Sequence, residues 1–372
     1  MNRFAQARES HGRIAALLLA LSLLLGVAAA ASGAPSDEGL LNRAHPKVQE
    51  AISVQEEVTP SLMESEDVLG TAVGLNEAGE VALVVYVNQE GRHTADVLRA
   101  LPRGIGGVPV TPHLTEPFRA LLKPDAARVS HKVKQTPPVK LGTSGGWAYD
   151  LANGYCCGGT LGALVQKSDG SQYVLSNYHV LEADIVAGGN GTVATSGDAI
   201  LQPALIDVGC DARNAQTVAA LVVSSSLPAG NVDASIAQVA PGMVDAEGSI
   251  LEIGTISAST TSASLNQAVK KSGRTTGLTR SKVTGLNATV NVSYDDECAG
   301  ATAFTKTFRN QLVLANRGSK FLAGGDSGSV MVEDFATNPK AVGLLFAGSN
   351  TSAIANPIAE VLGYFGVTMV GK

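Results

Sequence analysis

The sequence predicts a mainly β protein in which a small α/β segment precedes a long series of short strands arranged as a sandwich or barrels. Three observations predict it. The 41 glycines among 372 residues, with abundant Ala, Val, Ser and Thr, suit strands and tight turns rather than long helices. From Trp147 onward, short apolar runs are separated by Gly, Asn, Asp and Ser. Asn287–Tyr294 alternates polar and apolar side chains, the period of a half-buried strand.

The elements follow in chain order. Arg3, Arg8 and Arg13 flank and precede an apolar run, Ile14–Leu25, and small residues continue to Ala34. This is the layout of a secretory signal peptide (1–34), cut somewhere in Ala30–Ala34. The run approaches the length of a membrane span, but its small-residue end favours cleavage, so no stable membrane insertion is expected afterwards. Residues 35–121 read as a small α/β N-terminal domain. Val48–Val58 and Ala95–Leu101 are helical, Thr71–Leu75 and Val81–Val87 are strands around a turn at Asn76–Gly79, and Val108–Thr111 is a further strand. Residues 122–146 have the Lys, Pro, Gly and Ser content of a linker. In 147–372, strands are expected at Thr160–Gln166, Tyr173–Ser176, Leu312–Leu314, Val330–Val332 and Ala341–Ala347, with a closing helix at Pro357–Phe365.

Charge and cysteines exclude other classes. The net charge is −6 and no basic run is present, so nucleic acid is not an expected partner. Cys156, Cys157, Cys210 and Cys298 form an even set in a chain expected to be exported, which points to disulfides. Adjacent residues on a strand face opposite ways, so one of Cys156 and Cys157 is expected to bond Cys210 and the other Cys298. One histidine in that half of the chain is too few for a zinc site, and no metal is expected. Asp295, Asp296 and Glu297 lack the ligand alternation of a calcium loop and read as a solvated acidic turn.

The sharpest chemical feature is Gly324-Gly325-Asp326-Ser327-Gly328-Ser329. A nucleophilic serine needs backbone N–H groups near its hydroxyl, and glycines permit that tight approach. It also needs a base, and His179 is the only histidine after His131. A third group must orient the imidazole; Asp233 sets one carboxylate in an otherwise apolar strand and so requires a partner. The order His, Asp, Ser is that of the chymotrypsin class. Gly142–Gly146 (GTSGG) matches the nucleophile elbow of another hydrolase class, but it sits in linker composition, so Ser144→Ala is expected to be silent. In "KSGRTTGLT", Lys271 and Arg274 read as solvated charges beside a glycine turn.

"LSNYHVL", "NVDASIA" and "GGDSGSVMV" resemble the His, Asp and Ser blocks of the trypsin/chymotrypsin-like serine peptidases. "CCGGTLGALV", "KSGRTTGLT" and "GLLFAGSNTSAIANPI" sharpen the resemblance toward a secreted bacterial branch with an extra N-terminal domain, distantly similar to HtrA-type and plant narrow-leaf-type proteases. The resemblance implies a trypsin-like double β-barrel preceded by the α/β domain, with His179 and Asp233 on the first barrel and Ser327 on the second. It implies a serine endopeptidase, periplasmic or extracellular, cutting protein or peptide substrates without a cofactor, with Gly325 and Ser327 N–H groups as the oxyanion hole. Phe321, Phe346, Ala347 and Gly348 would line the specificity pocket and favour apolar or small residues before the cut bond. No Ile-Val-Gly-Gly-like activation terminus precedes the domain, so Asp326 needs another partner. The N-terminal domain is expected to be a pro-domain removed between Leu122 and Gly146. The alternative is a non-catalytic peptide- or protein-binding module on the same fold.

Overall fold

Six strands close the first barrel, and a glycine bend lets them do so. The computed structural model describes residues 40–120, 131–152, 155–182, 194–223, 226–227, 229–294 and 304–372. The expected signal peptide, Cys298 and the acidic turn at Asp295–Glu297 lie outside these residues. In chain order, the N-terminal segment holds Pro46–Leu62 (α1), Val68–Leu75 (β1), Val81–Asn88 (β2), Thr94–Ala100 (α2), Gly104–Ile105 (β3), Val108–Thr115 (β4) and Phe118–Ala120 (β5). Next come Thr143–Trp147 (β6), the small hairpin Leu151–Ala152 (β7) and Tyr155–Cys156 (β8), Gly159–Leu161 (β9), Ala163–Gln166 (β10) and Gln172–Ser176 (β11). Tyr178–Leu181 (α3), Ala199–Gln202 (β12), Gln216–Val222 (β13) and Ser235–Val239 (β14) complete this part. Strands β9 and β10 flank Gly162 as one bent strand that pairs β6 at one end and β11 at the other. The ring runs β6–β12–β13–β14–β11 and back to this strand. Val165, Val174, Leu175, Val218, Leu221 and Ile236 lie buried in one apolar cluster along its walls.

The second barrel is also a closed ring of six. Its strands are Ala268–Gly273 (β15), Gly277–Tyr294 (β16), Phe304–Ala315 (β17), Val330–Glu333 (β18), Ala341–Gly348 (β19) and Ser352–Pro357 (β20). The order β15–β18–β19–β20–β17–β16 is closed by β16 pairing β15. Closure removes the sheet edges, and it buries β19 on both faces from Ala341 to Gly348. The chain ends with Ile358–Phe365 (α4) and Thr368–Met369 (β21); the latter pairs β10 and ties the C-terminus to the first barrel. The protein is therefore mainly β with a double-barrel architecture, as the sequence predicts.

The N-terminal segment has the elements expected of it but not the independence. Strand β1 pairs β2 on one side and β16 on the other, so the segment extends the second barrel's sheet. Helix α1 covers that junction. Val48, Ala51 and Ile52 lie in the same cluster as Val73, Leu83, Val283 and Leu314. Gln55 on α1 donates to the Thr71 and Asn287 carbonyls, at 3.3 and 2.8 Å, and so bonds helix, β1 and β16 together. Residues 40–372 form one compact unit.

Two further expectations are corrected or refined. The linker expected at 122–146 is folded from His131 onward: Thr143–Trp147 is fully buried β6, and His131 is buried with its ring nitrogens bonded to the Gly142 carbonyl and Glu252, both at 2.7 Å. Turn-like composition misled here because these glycines and serines pack inside a barrel wall. The first of the expected disulfides is Cys156–Cys210, which ties the β7–β8 hairpin to the barrel. Cys157 is disulfide-bonded as well, and no cysteine among the described residues is free.

Candidate active site

Register places the first two candidate residues together. Strand β11 pairs β14 with Ser176 opposite Ser235, so Asp233, two residues before Ser235, meets the turn of helix that carries His179. Nδ1 of His179 lies 2.6 Å from Oδ2 of Asp233, and the His179 backbone N–H donates to Oδ1 at 3.3 Å. The carboxylate can only accept, so Nδ1 carries the proton. Asp233 is fully buried and His179 is 4% exposed. Asn177 and Asn356 fix the Asp233 backbone: their side-chain amides donate to its carbonyl at 2.6 and 3.2 Å. Nε2 of His179 is buried and has no hydrogen-bond partner. That ring nitrogen is the one a base uses.

The serine turn packs onto the same wall. Its carbonyl accepts from Thr160 N–H at 2.8 Å, and Thr160 is also the acceptor for Ser176, three residues before His179. A side chain at Gly159 would come within 2.5 Å of Val180 and 2.8 Å of the Ser327 carbonyl, so the His and Ser blocks are neighbours. Gly325 and Gly328 take φ of +88° and +90°, which favour glycine. A Cβ at Gly328 would lie 2.3 Å from the Thr160 carbonyl and from the Ser176 hydroxyl, leaving no room for a side chain.

Asp326 is the keystone of the turn. Its carboxylate accepts from the N–H groups of Thr275, Thr276 and Ala323 at 2.9, 3.1 and 3.0 Å, and from the Thr276 hydroxyl at 2.6 Å. Nζ of Lys271 closes the set at 3.1 Å, with both side chains fully buried. Lys271 is thus the partner that the missing activation terminus left open. Burial pushes its ammonium down, and Asp326 opposes that shift. The Asp326 turn is held by groups the folded chain already contains.

Lys271 and Arg274 were expected to be solvated; the structure corrects this, because each finds a carboxylate far away in sequence. Arg274 is 2% exposed and forms a two-pronged pair with Asp207, both contacts at 2.6 Å. The Ser144 hydroxyl donates to the same Asp207 at 2.6 Å and accepts from Ala204 N–H at 3.0 Å. Ser144 is therefore not a linker serine but a buried structural hydroxyl. Ser144→Ala is expected to lower stability by about 2 kcal/mol, as loss of a hydrogen bond to a charged group does, while leaving turnover within twofold. Urea unfolding checks the first and a peptide assay the second.

The residues expected to line the specificity pocket divide. The Ser327 hydroxyl lies 3.5 Å from the Phe346 carbonyl, so the edge formed by Phe346, Ala347 and Gly348 runs beside the serine. Phe346 and Ala347 join the cluster of Tyr178, Leu227, Tyr294 and Phe308. Phe321 instead packs with Leu322, Met331 and Leu345 in the second barrel's core. The Ala347–Gly348 edge carries β5: Ala120 pairs Ala347 and Arg119 pairs Gly348, antiparallel. On its other side, Phe118 and Arg119 pair Val292 and Ser293 of β16.

Sequence reasoning missed Lys271, Arg274 and Asp207 as a support for the turn, and it missed Tyr294 beside Asp233. A signal existed for Lys271: Asp326, with no activation terminus to meet it, needs another partner. No local pattern marks the last.

No family model matches the chain, and no curated protein matches it. Among solved structures, a glutamic-acid-specific serine protease that uses a histidine triad in substrate binding is 23% identical, with a TM-score of 0.40, over 62% of this chain and 100% of its own. A Cellulomonas bogoriensis chymotrypsin is 19% identical, with a TM-score of 0.39, over 63% and 99%. A Nocardiopsis protease is 15% identical, with a TM-score of 0.38, over 61% and 97%. At such values no residue role passes from them to this chain, and the functional reading rests on the site itself.

Proposed function

We propose that this chain is a serine endopeptidase that cuts peptide bonds through an acyl-enzyme. The observation that carries the reading is the buried His179–Asp233 pair, 2.6 Å apart, which leaves Nε2 unpartnered on the wall where the Ser327 turn packs. Ser327 Oγ attacks the substrate carbonyl and Nε2 takes its proton. The Gly325 and Ser327 N–H groups stabilise the oxyanion, and His179 returns the proton to the leaving amine. Water then repeats the sequence on the acyl-enzyme. A fluorophosphonate probe is the direct test: labelling of wild-type protein, lost in Ser327→Ala, is expected. An unlabelled, folded wild type freed of residues 40–120 would favour the binding-module alternative. The disulfides and the leader-like residues 1–34 support an exported protein.

The N-terminal segment acts in this reading as a removable inhibitor. A substrate's acyl side must lie along Phe346–Gly348 to bring its carbonyl to Ser327, and β5 already pairs with that edge. Because His131–Trp147 is built into the first barrel, the cut that frees the edge is expected within 121–130 and not later. A protease recognition sequence placed at 124–129 tests this. Cutting it in purified protein is expected to raise peptide turnover at least about tenfold, the order of effect that freeing an occupied edge gives at effective concentrations well above the substrate's. Equal turnover before and after complete cutting and separation of the segment would remove the inhibitory role.

A further inference from the structure

The hydroxyl of Tyr294 donates to Oδ2 of Asp233 at 2.8 Å, the same oxygen that accepts from His179 Nδ1 at 2.6 Å. Tyr294 is 1% exposed, and its ring stands edge-on to the imidazole with centroids 5.9 Å apart. It is the last residue of β16, on the second barrel, whereas His179 and Asp233 belong to the first. The Asp233 backbone is fixed by Asn177 and Asn356, and among the described residues its carboxylate accepts from two side chains, His179 and Tyr294.

We propose that Tyr294 is a positioning residue that sets both the orientation and the basicity of His179 by holding and partly neutralising Asp233 Oδ2. The proposal rests on the peptidase reading above. Two donors on one oxygen in a buried site divide its negative charge, and a carboxylate that shares its charge stabilises the imidazolium less. Tyr294 therefore keeps His179 a weaker base than an undivided carboxylate would. The same bond fixes the carboxylate plane, and so the ring that Nδ1 anchors. Burial and the Asp233 charge hold the Tyr294 hydroxyl well above its ordinary range, so it stays a neutral donor and gives up no proton to the pair. Other titratable groups on this side are Tyr178 on α3, pushed up by burial, Glu182 and Asp233; Glu182, which accepts from Ser235 at 2.5 Å; and Tyr364 on α4. From β17, Lys306 lies over the ring of Phe308, which packs at 6.5 Å from the Tyr294 ring.

The test is Tyr294→Phe, which removes one oxygen and keeps the ring. In the cut, active protein, kcat is expected to fall about tenfold with KM within twofold, and the acid limb of kcat/KM to move up by about half a pH unit. In the uncut Ser327→Ala chain, the far-downfield proton resonance of His179 Nδ1–H is expected to shift on adding Tyr294→Phe. Phe308→Leu, which disturbs the packing around the ring and leaves the hydroxyl, should lower stability without moving the limb or the resonance. A folded Tyr294→Phe protein with limb and resonance both unmoved overturns the proposal. Should that variant not fold, 3-fluorotyrosine at position 294, a stronger donor of the same shape, should move the limb down; an unmoved or rising limb overturns it. The resonance is read without turnover. A shifted resonance in a protein with no peptidase activity would therefore sink the peptidase reading alone.

Discussion

Replacing Ser327 with alanine is expected to lower peptide turnover by about 10⁴-fold or more, the loss seen when the nucleophile of a serine triad is removed. The oxygen that bonds to the substrate would be gone, and no other hydroxyl among the described residues takes its place: Ser329 is spent on the Asp326 carbonyl at 2.5 Å and Ser176 on the Thr160 carbonyl at 2.7 Å. The turn itself should survive. Its glycines, the Asp326 contacts and the Ser327 backbone are untouched, so unfolding is expected within about 1 kcal/mol of wild type, as for a small side chain trimmed by one atom. His179→Ala should cost a similar amount, and the double variant little more, because the two act as a unit. A folded Ser327→Ala protein, repurified and free of contaminating protease, that still turns over within a hundredfold of wild type would end the assignment.

Lys271→Met should do damage of a different kind. It leaves Asp326 buried with its charge uncompensated, and removing one partner of a buried pair costs about 3–5 kcal/mol. The four remaining donors to Asp326, three backbone N–H groups and the Thr276 hydroxyl, limit the loss but cannot supply a cation. Because Asp326 sits between Gly325 and Ser327, any relaxation of its carboxylate moves the N–H groups proposed to receive the oxyanion. Each such donor is worth about 10²–10³-fold in kcat, so kcat should fall by about that factor while the fluorophosphonate label still forms slowly. Urea unfolding and steady-state kinetics measure the two effects separately. Stability within about 1 kcal/mol and kcat within threefold of wild type would show that Lys271 does not hold the turn.

How much of this was legible in the sequence differs from feature to feature. Gly324–Ser329 stood out because a tight turn with two positive-φ positions favours glycine at them, a local requirement that leaves a local mark. His179 stood out because it was the single imidazole after His131, and Asp233 because a lone carboxylate among Val, Ala and Ile needs a partner. Strands β1, β2 and β4 and the second half of β16 were likewise legible as alternating or continuous apolar runs, whereas β3 and β5 were not.

What only the tertiary structure decided are the pairings that cross long stretches of chain. Whether Lys271 and Arg274 face water or carboxylates depends on where Asp326 and Asp207 arrive after both barrels close, and no period in the sequence encodes that. The same holds for Ser144, which reads as linker by composition yet lies in a barrel wall. Tyr294 ends an ordinary alternating strand, and only the packing of one barrel on the other brings its hydroxyl to Asp233. The N-terminal segment reads as a unit of its own because each of its elements is locally complete. The free edge of β1 must still be satisfied, and β16 satisfies it. The sequence by itself determined which residues can do chemistry, because side-chain type and backbone strain are local properties. The tertiary structure decided which charges support them and which strand lies across them, because burial and sheet closure are properties of the whole chain.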